Sequence, residues 1–282
     1  GLQTVVVGTR DPNPNHAGRG LQILQEAGLE VVEGVLEEEC ADLNLIFNHW
    51  VTHEKKPLVA LKYATTLDGK IATAGGDSKW ITGEGARFDV ARWRRYFPAI
   101  VVGAETVLRD DPALTSRQEL EPPWCPQRFV FDSQLRSFRK KPDAQLFGDT
   151  FRDKTTLVVS EKAEVSLKKQ AREAGLEVWE LPLNSEDRPD PTVFLQKVRE
   201  AGWVGVWIEG GSALGNQFLR ADLIDYLFLY TAPKILGDSR GLPAFSFQEI
   251  ENMANARTLF QPRFDQFGGD RLIRGYLKQD TL

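Results

Sequence analysis

Residues Pro57 to Gly83, PLVALKYATTLDGKIATAGGDSKWITG, constrain this chain more than any other stretch. Leu58, Val59, Ala60 and Leu61 form an apolar run bounded by Pro57, the pattern of a buried strand. Lys62 interrupts that run where the strand should leave the sheet, and a lone lysine there suits a snorkelling strand end as well as a functional cation. Leu67-Asp68-Gly69-Lys70 reads as a turn, because Asp-Gly accepts positive φ at little cost. Gly75-Gly76-Asp77-Ser78 is a second corner, where backbone N–H groups can face an anion. Trp80-Ile81-Thr82-Gly83 adds a large ring and a helix-capping hydroxyl. A loop-rich α/β segment can carry the same residue types without a site, so the pattern alone leaves both readings open.

With 282 residues, the chain has room for one large domain or a main domain with a smaller appendage. A net charge of −5 and a pI near 5.4 argue against a general nucleic-acid or membrane-surface role, while leaving room for a small anionic substrate. Cys40 and Cys125 are too few and too far apart for a disulfide framework, which suits a reducing cytoplasm. No apolar run approaches the roughly 18 residues that span a bilayer. The opening GLQTVVVGTRDP lacks the apolar core of a signal peptide.

Residues 4–8 read as a strand, Leu21 to Ala27 as a helix ended by Gly28, 29–35 as a strand and 36–51 as a second helix. This piece is too short to bury a core. The charged connector HEKKP (53–57) sets the expected boundary, with residues 1–53 on one side and 57–282 on the other. Beyond the organising stretch, a helix capped by Thr82 should run to about Phe97, with Ala86, Val90, Trp93 and Phe97 inward. Arg94 lies roughly 70° off that face, better placed than Arg92 or Arg95 to look into a cleft. An arginine covering the core edge would sit equally well there.

A strand at 100–102 leads to Gly103 and on to RDDPALTSR. Residues beyond strand C-termini line the ligand crevice of an open α/β sheet, which places Thr106, Asp110, Leu114 and Arg117 there. Asp111 reads as a turn cap before Pro112. The strand 128–132 ends at Ser133, and a basic run follows: Arg136, Arg139, Lys140 and Lys141. Such a run is usually a solvated face, but beside a dinucleotide it can select a 2′-phosphate. Strands at 155–159 and 176–179 flank a helix at 165–174, and another helix covers 193–201. VGVWIEGGSALGNQFL then reads as strand, glycine turn and helix, a phosphate-cradle pattern that a plain tight turn also produces. Gly210-Gly211 followed by Gly215 is not the Rossmann spacing. A strand at 225–230 precedes a C-terminal hairpin around Gly268-Gly269, with Pro262 marking an exposed edge.

LKYATTLDGKIATAGGDSKWITG, followed by VVGAETVLRDDPALTSR, resembles the pyrimidine reductase of riboflavin biosynthesis. The likeness runs from about Leu2 to near the C-terminus and is densest over residues 58–117 and 206–217. It implies an α/β fold of the dihydrofolate-reductase type, a mixed sheet flanked by helices, with NADPH as reductant. It also implies reduction of the ribosyl group of 5-amino-6-(5-phosphoribosylamino)uracil to a ribityl chain. In that family the reductase is commonly the C-terminal part of a bifunctional deaminase/reductase. Residues 1–53 resemble the last segment of the deaminase domain, downstream of its zinc site.

The deaminase needs a His-x-Glu motif and a pair of spaced cysteines. None of His16, His49 and His53 is followed by Glu two positions on, so no metal and no deamination are expected here. Carried over residue by residue, the likeness assigns Ala64, Trp80, Thr106, Asp110, Ser133 and the cradle Gly211, Ser212, Ala213, Leu214, Gly215, Asn216 and Gln217 to the cofactor. Arg136 joins them as the candidate for the 2′-phosphate. Ser78, Arg94, Leu114, Arg117 and Glu209 fall to the phosphorylated substrate, with Lys62 and Glu209 as the catalytic pair. Family members are commonly homodimers, and the hairpin edge is the expected place to pair. Two other readings stay open: a reductase of this fold with another pterin- or pyrimidine-like substrate, and a binding module without turnover.

Overall fold

The computed structural model describes residues 1–16, 18–115 and 124–278. The chain divides into two compact units, Gly1–Leu58 and Val59–Leu282, a few residues from the boundary expected at the charged connector.

In the first unit, β1 (Thr4–Val7) and β2 (Glu30–Glu33) pair in parallel and are joined through α1 (Arg19–Glu26). Gly28, at φ 82°, follows the helix end as expected. The single helix expected over 36–51 is instead two, α2 (Glu37–Leu43) and α3 (Leu45–Thr52). Asn44 breaks it: its side-chain amide donates to the Cys40 carbonyl at 2.9 Å, competing with the backbone for that acceptor.

The division falls at the first residue of β3 (Leu58–Thr65), and the second unit continues with the short β4 (Lys70–Ala72), α4 (Glu84–Arg94), β5 (Ala99–Gly103) and α5 (Ala104–Asp110). Next come β6 (Gln127–Phe131), α6 (Arg136–Lys140), α7 (Gln145–Gly148), β7 (Thr155–Ser160), α8 (Val165–Glu173) and β8 (Glu177–Leu181). It closes with α9 (Pro191–Glu200), β9 (Gly205–Ile208), α10 (Ser212–Arg220), β10 (Tyr226–Thr231), β11 (Leu242–Pro243), β12 (Phe260–Phe267) and β13 (Asp270–Tyr276). Nine strands form one sheet in the order β12-β13-β10-β3-β9-β5-β6-β7-β8. From β9 to β8 every neighbour runs parallel, and β10 is parallel to β3. The hairpin β12–β13 adds two antiparallel strands beside β10, which makes the sheet mixed. Parallel strands are covered on both faces, hence the near-continuous apolar runs of β3, β5 and β9. Their side chains pack with Phe129, Phe131, Phe194 and Phe218 in one core.

Several local details depart from the sequence reading. Gly83, not Thr82, is the N-cap of α4, and its N–H donates to Asp270 Oδ2 at 2.6 Å. A carboxylate from the distant hairpin therefore replaces the local hydroxyl. The helix ends at Arg94, short of the expected Phe97, yet Ala86, Val90 and Trp93 are buried as its period requires. Residues 104–110 are helical, a segment the sequence left unassigned up to the loop RDDPALTSR, so the helix takes in the first two residues of that loop. Part of the basic run is also helical: Asp132, at the end of β6, accepts from the backbone N–H groups of Arg136 (2.8 Å) and Ser137 (2.6 Å) and so starts α6.

Candidate active site

Lys62 and Ala64 sit two residues apart on β3 and therefore share one face of the sheet. Glu209 follows β9, the next strand in the sheet. There Lys62 Nζ lies 3.3 Å from Glu209 Oε1, and Arg94, the last residue of α4, places Nη2 2.7 Å from Oε2. The buried Trp207 donates its indole N–H to the same oxygen at 3.0 Å. Three elements far apart in sequence thus converge on one carboxylate whose side chain is 21% exposed. Burial alone would raise the pKa of Glu209. The charges of Arg94 and Lys62, with the Arg94 and Trp207 hydrogen bonds, outweigh it and hold the carboxyl well below the usual carboxylate range.

Arg94 is the inward-looking arginine its helical position suggested. Its guanidinium is already engaged: Nη1 donates to the Thr115 carbonyl at 3.0 Å and Nη2 to Glu209, while Nε is buried without a partner. Leu114, buried at φ 55°, precedes that carbonyl. Asp110 ends α5 nearby. Burial pushes its carboxyl up, Lys79 and Arg109 draw it back, and the charge of Glu209 adds to the rise. Arg117, expected beside these groups, lies outside the described residues.

The Gly75-Gly76 corner is tied down rather than free. Arg109 donates to the Gly75 carbonyl at 2.7 Å, and Gly76 has φ 88°. A Cβ on Gly76 would fall 1.3 Å from Arg109 Nη1 and displace that guanidinium, and the positive φ itself favours glycine. Beyond the half-buried Ser78, Trp80 is 55% exposed with the Arg87 guanidinium 4.6 Å from its ring centroid.

The glycine turn after β9 divides into two parts. Gly211 and Ala213 are exposed, Ser212 half-buried, and no side chain caps α10 at Gly211. Its first backbone N–H groups are therefore available to an anion. The remainder of the expected cradle turns inward. Leu214 is core, Asn216 Nδ2 donates to the Ala244 carbonyl at 3.2 Å, and Gln217 Nε2 donates to the Pro189 carbonyl at 2.9 Å. Gly215 makes room for Tyr63: a Cβ there would stand 2.0 Å from the Tyr63 hydroxyl. Thr106 on α5 and Ser133 just past β6 are both half-buried. Arg136, the candidate for the 2′-phosphate, pairs with Glu105 at 2.7 Å.

Residues 57–270 match the family model described as the RibD C-terminal domain. The riboflavin biosynthesis protein RibD of Actinobacillus pleuropneumoniae is 38% identical over 273 residues, covering 97% of this chain and 70% of that protein. RibD of Acinetobacter baumannii superposes with a TM-score of 0.73 at 30% identity, covering 98% of this chain and 73% of that one. The Thermotoga maritima diaminohydroxyphosphoribosylaminopyrimidine deaminase/5-amino-6-(5-phosphoribosylamino)uracil reductase does so with 0.70 at 34%, covering 98% and 72%. This chain belongs to the RibD C-terminal domain family.

For a RibD-type domain, several contributors to the site escaped the sequence reading. Trp207 stands two residues before Glu209 in an extended run, so period-two alternation could have paired them. Arg128 left no comparable signal. Although fully buried on β6, it donates to the Ala113 carbonyl at 3.0 Å, to both oxygens of Asp149 and to the Phe151 carbonyl at 2.7 Å. It anchors the chain immediately before Leu114 and Thr115. An arginine beginning RFVFD looks like a strand end, and nothing local announces partners from two separate loops.

Proposed function

We propose that this chain reduces the ribosyl group of 5-amino-6-(5-phosphoribosylamino)uracil to the ribityl chain, with NADPH as reductant. It is a riboflavin-biosynthesis reductase that acts on a pyrimidine with a reduced nicotinamide cofactor. The observation that carries the finer reading is the convergence of Lys62, Arg94 and Trp207 on Glu209, beside an uncapped helix N-terminus. The residues present suit the cofactor: Gly211 has no atom within 4 Å of an added Cβ, so backbone can approach a pyrophosphate there. Bound NADPH supplies the hydride, and the chain supplies position and electrostatics.

Lys62 polarises the ribosyl oxygen, or its imine equivalent, as hydride reaches C1′. Glu209 keeps Lys62 and Arg94 in place and faces the sugar hydroxyls, while Ser78, Leu114 and Arg117 complete the substrate side. Ala64, Trp80, Thr106, Asp110 and Ser133 line the cofactor side with Gly211 to Ala213. Loss of NADPH absorbance with the deaminated pyrimidine phosphate tests this reading. Lys62→Met should lower kcat about 10²- to 10³-fold, the range of one lost electrostatic stabiliser of developing charge. A wild-type chain that oxidises NADPH with another pterin or pyrimidine, and not with this one, would sink the substrate assignment.

We assign no deamination to these residues and read the first unit as the end of a deaminase domain. Metal analysis of purified protein checks that assignment, and one zinc per chain would overturn it. The thiols of Cys40 and Cys125 suit the cytoplasm. Homodimerisation is proposed along β12, the edge strand of the C-terminal hairpin, where Phe264 is 71% exposed. Phe264→Glu should therefore weaken self-association in sedimentation velocity.

A further inference from the structure

Glu105, in the first turn of α5, stands between two arginines. Its Oε1 accepts from Arg109 Nε at 2.6 Å and its Oε2 from Arg136 Nη2 at 2.7 Å. Arg109 is the residue that holds the Gly75 carbonyl and fills the space beside Gly76. One carboxylate therefore links α6 to the corner that leads to Ser78 and Trp80. The Arg109 hydrogen bond, against a smaller burial effect and with help from the charges of both arginines, lowers its pKa.

The sheet puts this group in a particular place. β9, β5 and β6 are adjacent and parallel, so the segments after their C-terminal ends follow one another along one edge. These are the uncapped turn into α10, the start of α5 with Glu105, and Asp132 to Arg136. Two strand spacings, roughly 10 Å, separate the first from the last. That is the scale on which a dinucleotide with its pyrophosphate on α10 would bring its adenosine ribose to Arg136.

We propose that Glu105 sets the chain's preference between phosphorylated and unphosphorylated nicotinamide dinucleotides by competing for Arg136. The inference rests on the NADPH reading given above. A 2′-phosphate reaching Arg136 takes over a guanidinium that Glu105 otherwise holds, and Glu105 keeps Arg109. The exchange is accessible because both partners are about half exposed, at 44% for Arg136 and 50% for Glu105. Exposed pairs of this kind are weak, and a phosphate grips guanidinium more strongly. NADH offers no such group and leaves the Glu105–Arg136 pair intact.

Calorimetric titration of NADPH and NADH at fixed ionic strength, into wild type, E105Q, R136A and E105Q/R136A, tests the inference. E105Q should bind NADPH about 2- to 5-fold more tightly, the scale of one exposed ion pair, with NADH unchanged. The double variant should match R136A, because the effect passes through Arg136. An unchanged NADPH affinity in E105Q, beside a wild type that prefers NADPH and an R136A that loses the preference, overturns the inference alone. An equal weakening for both cofactors overturns it too, since Glu105 would then act only through Arg109 on the glycine corner. Equal affinity of the wild type for the two cofactors overturns the NADPH reading itself, and this inference with it.

Discussion

Glu209 draws its properties from two opposing effects. Burial disfavours its charge, and Arg94 and Lys62 overcome burial. Its native pKa is therefore depressed, so the group contributes stability above the unfolded value of about 4.3 and loses it as pH falls through the native value. Glu209→Gln should destabilise the chain at pH 7 and progressively less below pH ~4, a difference that urea unfolding at several pH values would measure. A gap between wild type and variant that stays constant with pH would show that Glu209 is not a charged partner. Gly215 supports a second prediction. An alanine Cβ would meet the Tyr63 hydroxyl at 2.0 Å, so Gly215→Ala should cost about 1–3 kcal/mol by overpacking. Tyr63→Phe removes a buried hydroxyl without a partner and should be near neutral on its own. Cofactor loss in Gly215→Ala with no change in stability would return Gly215 to the cradle. The sequence placed Gly215 in a glycine-rich segment that suited a phosphate cradle and a plain tight turn alike. It could not show that the neighbour of this glycine is a tyrosine more than 150 positions away and not a ligand.

At the level of elements, the pieces that position the site were mostly readable: β3, α4, β5, β9 and α10 all appear near their expected places. What stayed hidden were the ties between them. Capping of α4 by Asp270, the hold of Asn216 and Gln217 on neighbouring loops and the Arg128 anchor all join residues distant in sequence. Local periodicity carries no trace of such contacts, because it reports which face is buried and not what covers it. The Arg128 anchor predicts a definite cost. Arg128 is fully buried and paired with Asp149 at 2.6 Å, so Asp149→Ala leaves a buried charge without its partner. Such breaks cost about 3–5 kcal/mol. Denaturant unfolding should show that loss, and a change below about 1 kcal/mol would mean the carbonyls around Arg128 suffice without the carboxylate.

Across the whole chain, the two units differ in what they bury. Among the described residues before Pro57, only Leu45 and His49 are buried, while Val6, Ile23, Leu43 and Phe47 remain exposed. A piece of that size cannot form a substantial core, which the sequence already indicated through its length. The second unit carries the nine-stranded sheet, the continuous core and every described residue of the candidate site. The family match likewise begins at Pro57. The order of the strands was not readable, because placing β9 between β3 and β5 is a matter of topology and not of local pattern. That placement brings Glu209 to Lys62, so the sheet itself assembles this pair. A chain of residues 57–282 should therefore fold cooperatively and reduce the pyrimidine substrate with kcat/KM within about 3-fold of the full chain, a difference under 1 kcal/mol in transition-state stabilisation. Circular dichroism melting and NADPH oxidation, run side by side, provide the check. A shortened chain that melts without a cooperative transition would show that residues 1–56 complete the core, and one that folds but fails to turn over would show that they complete the site.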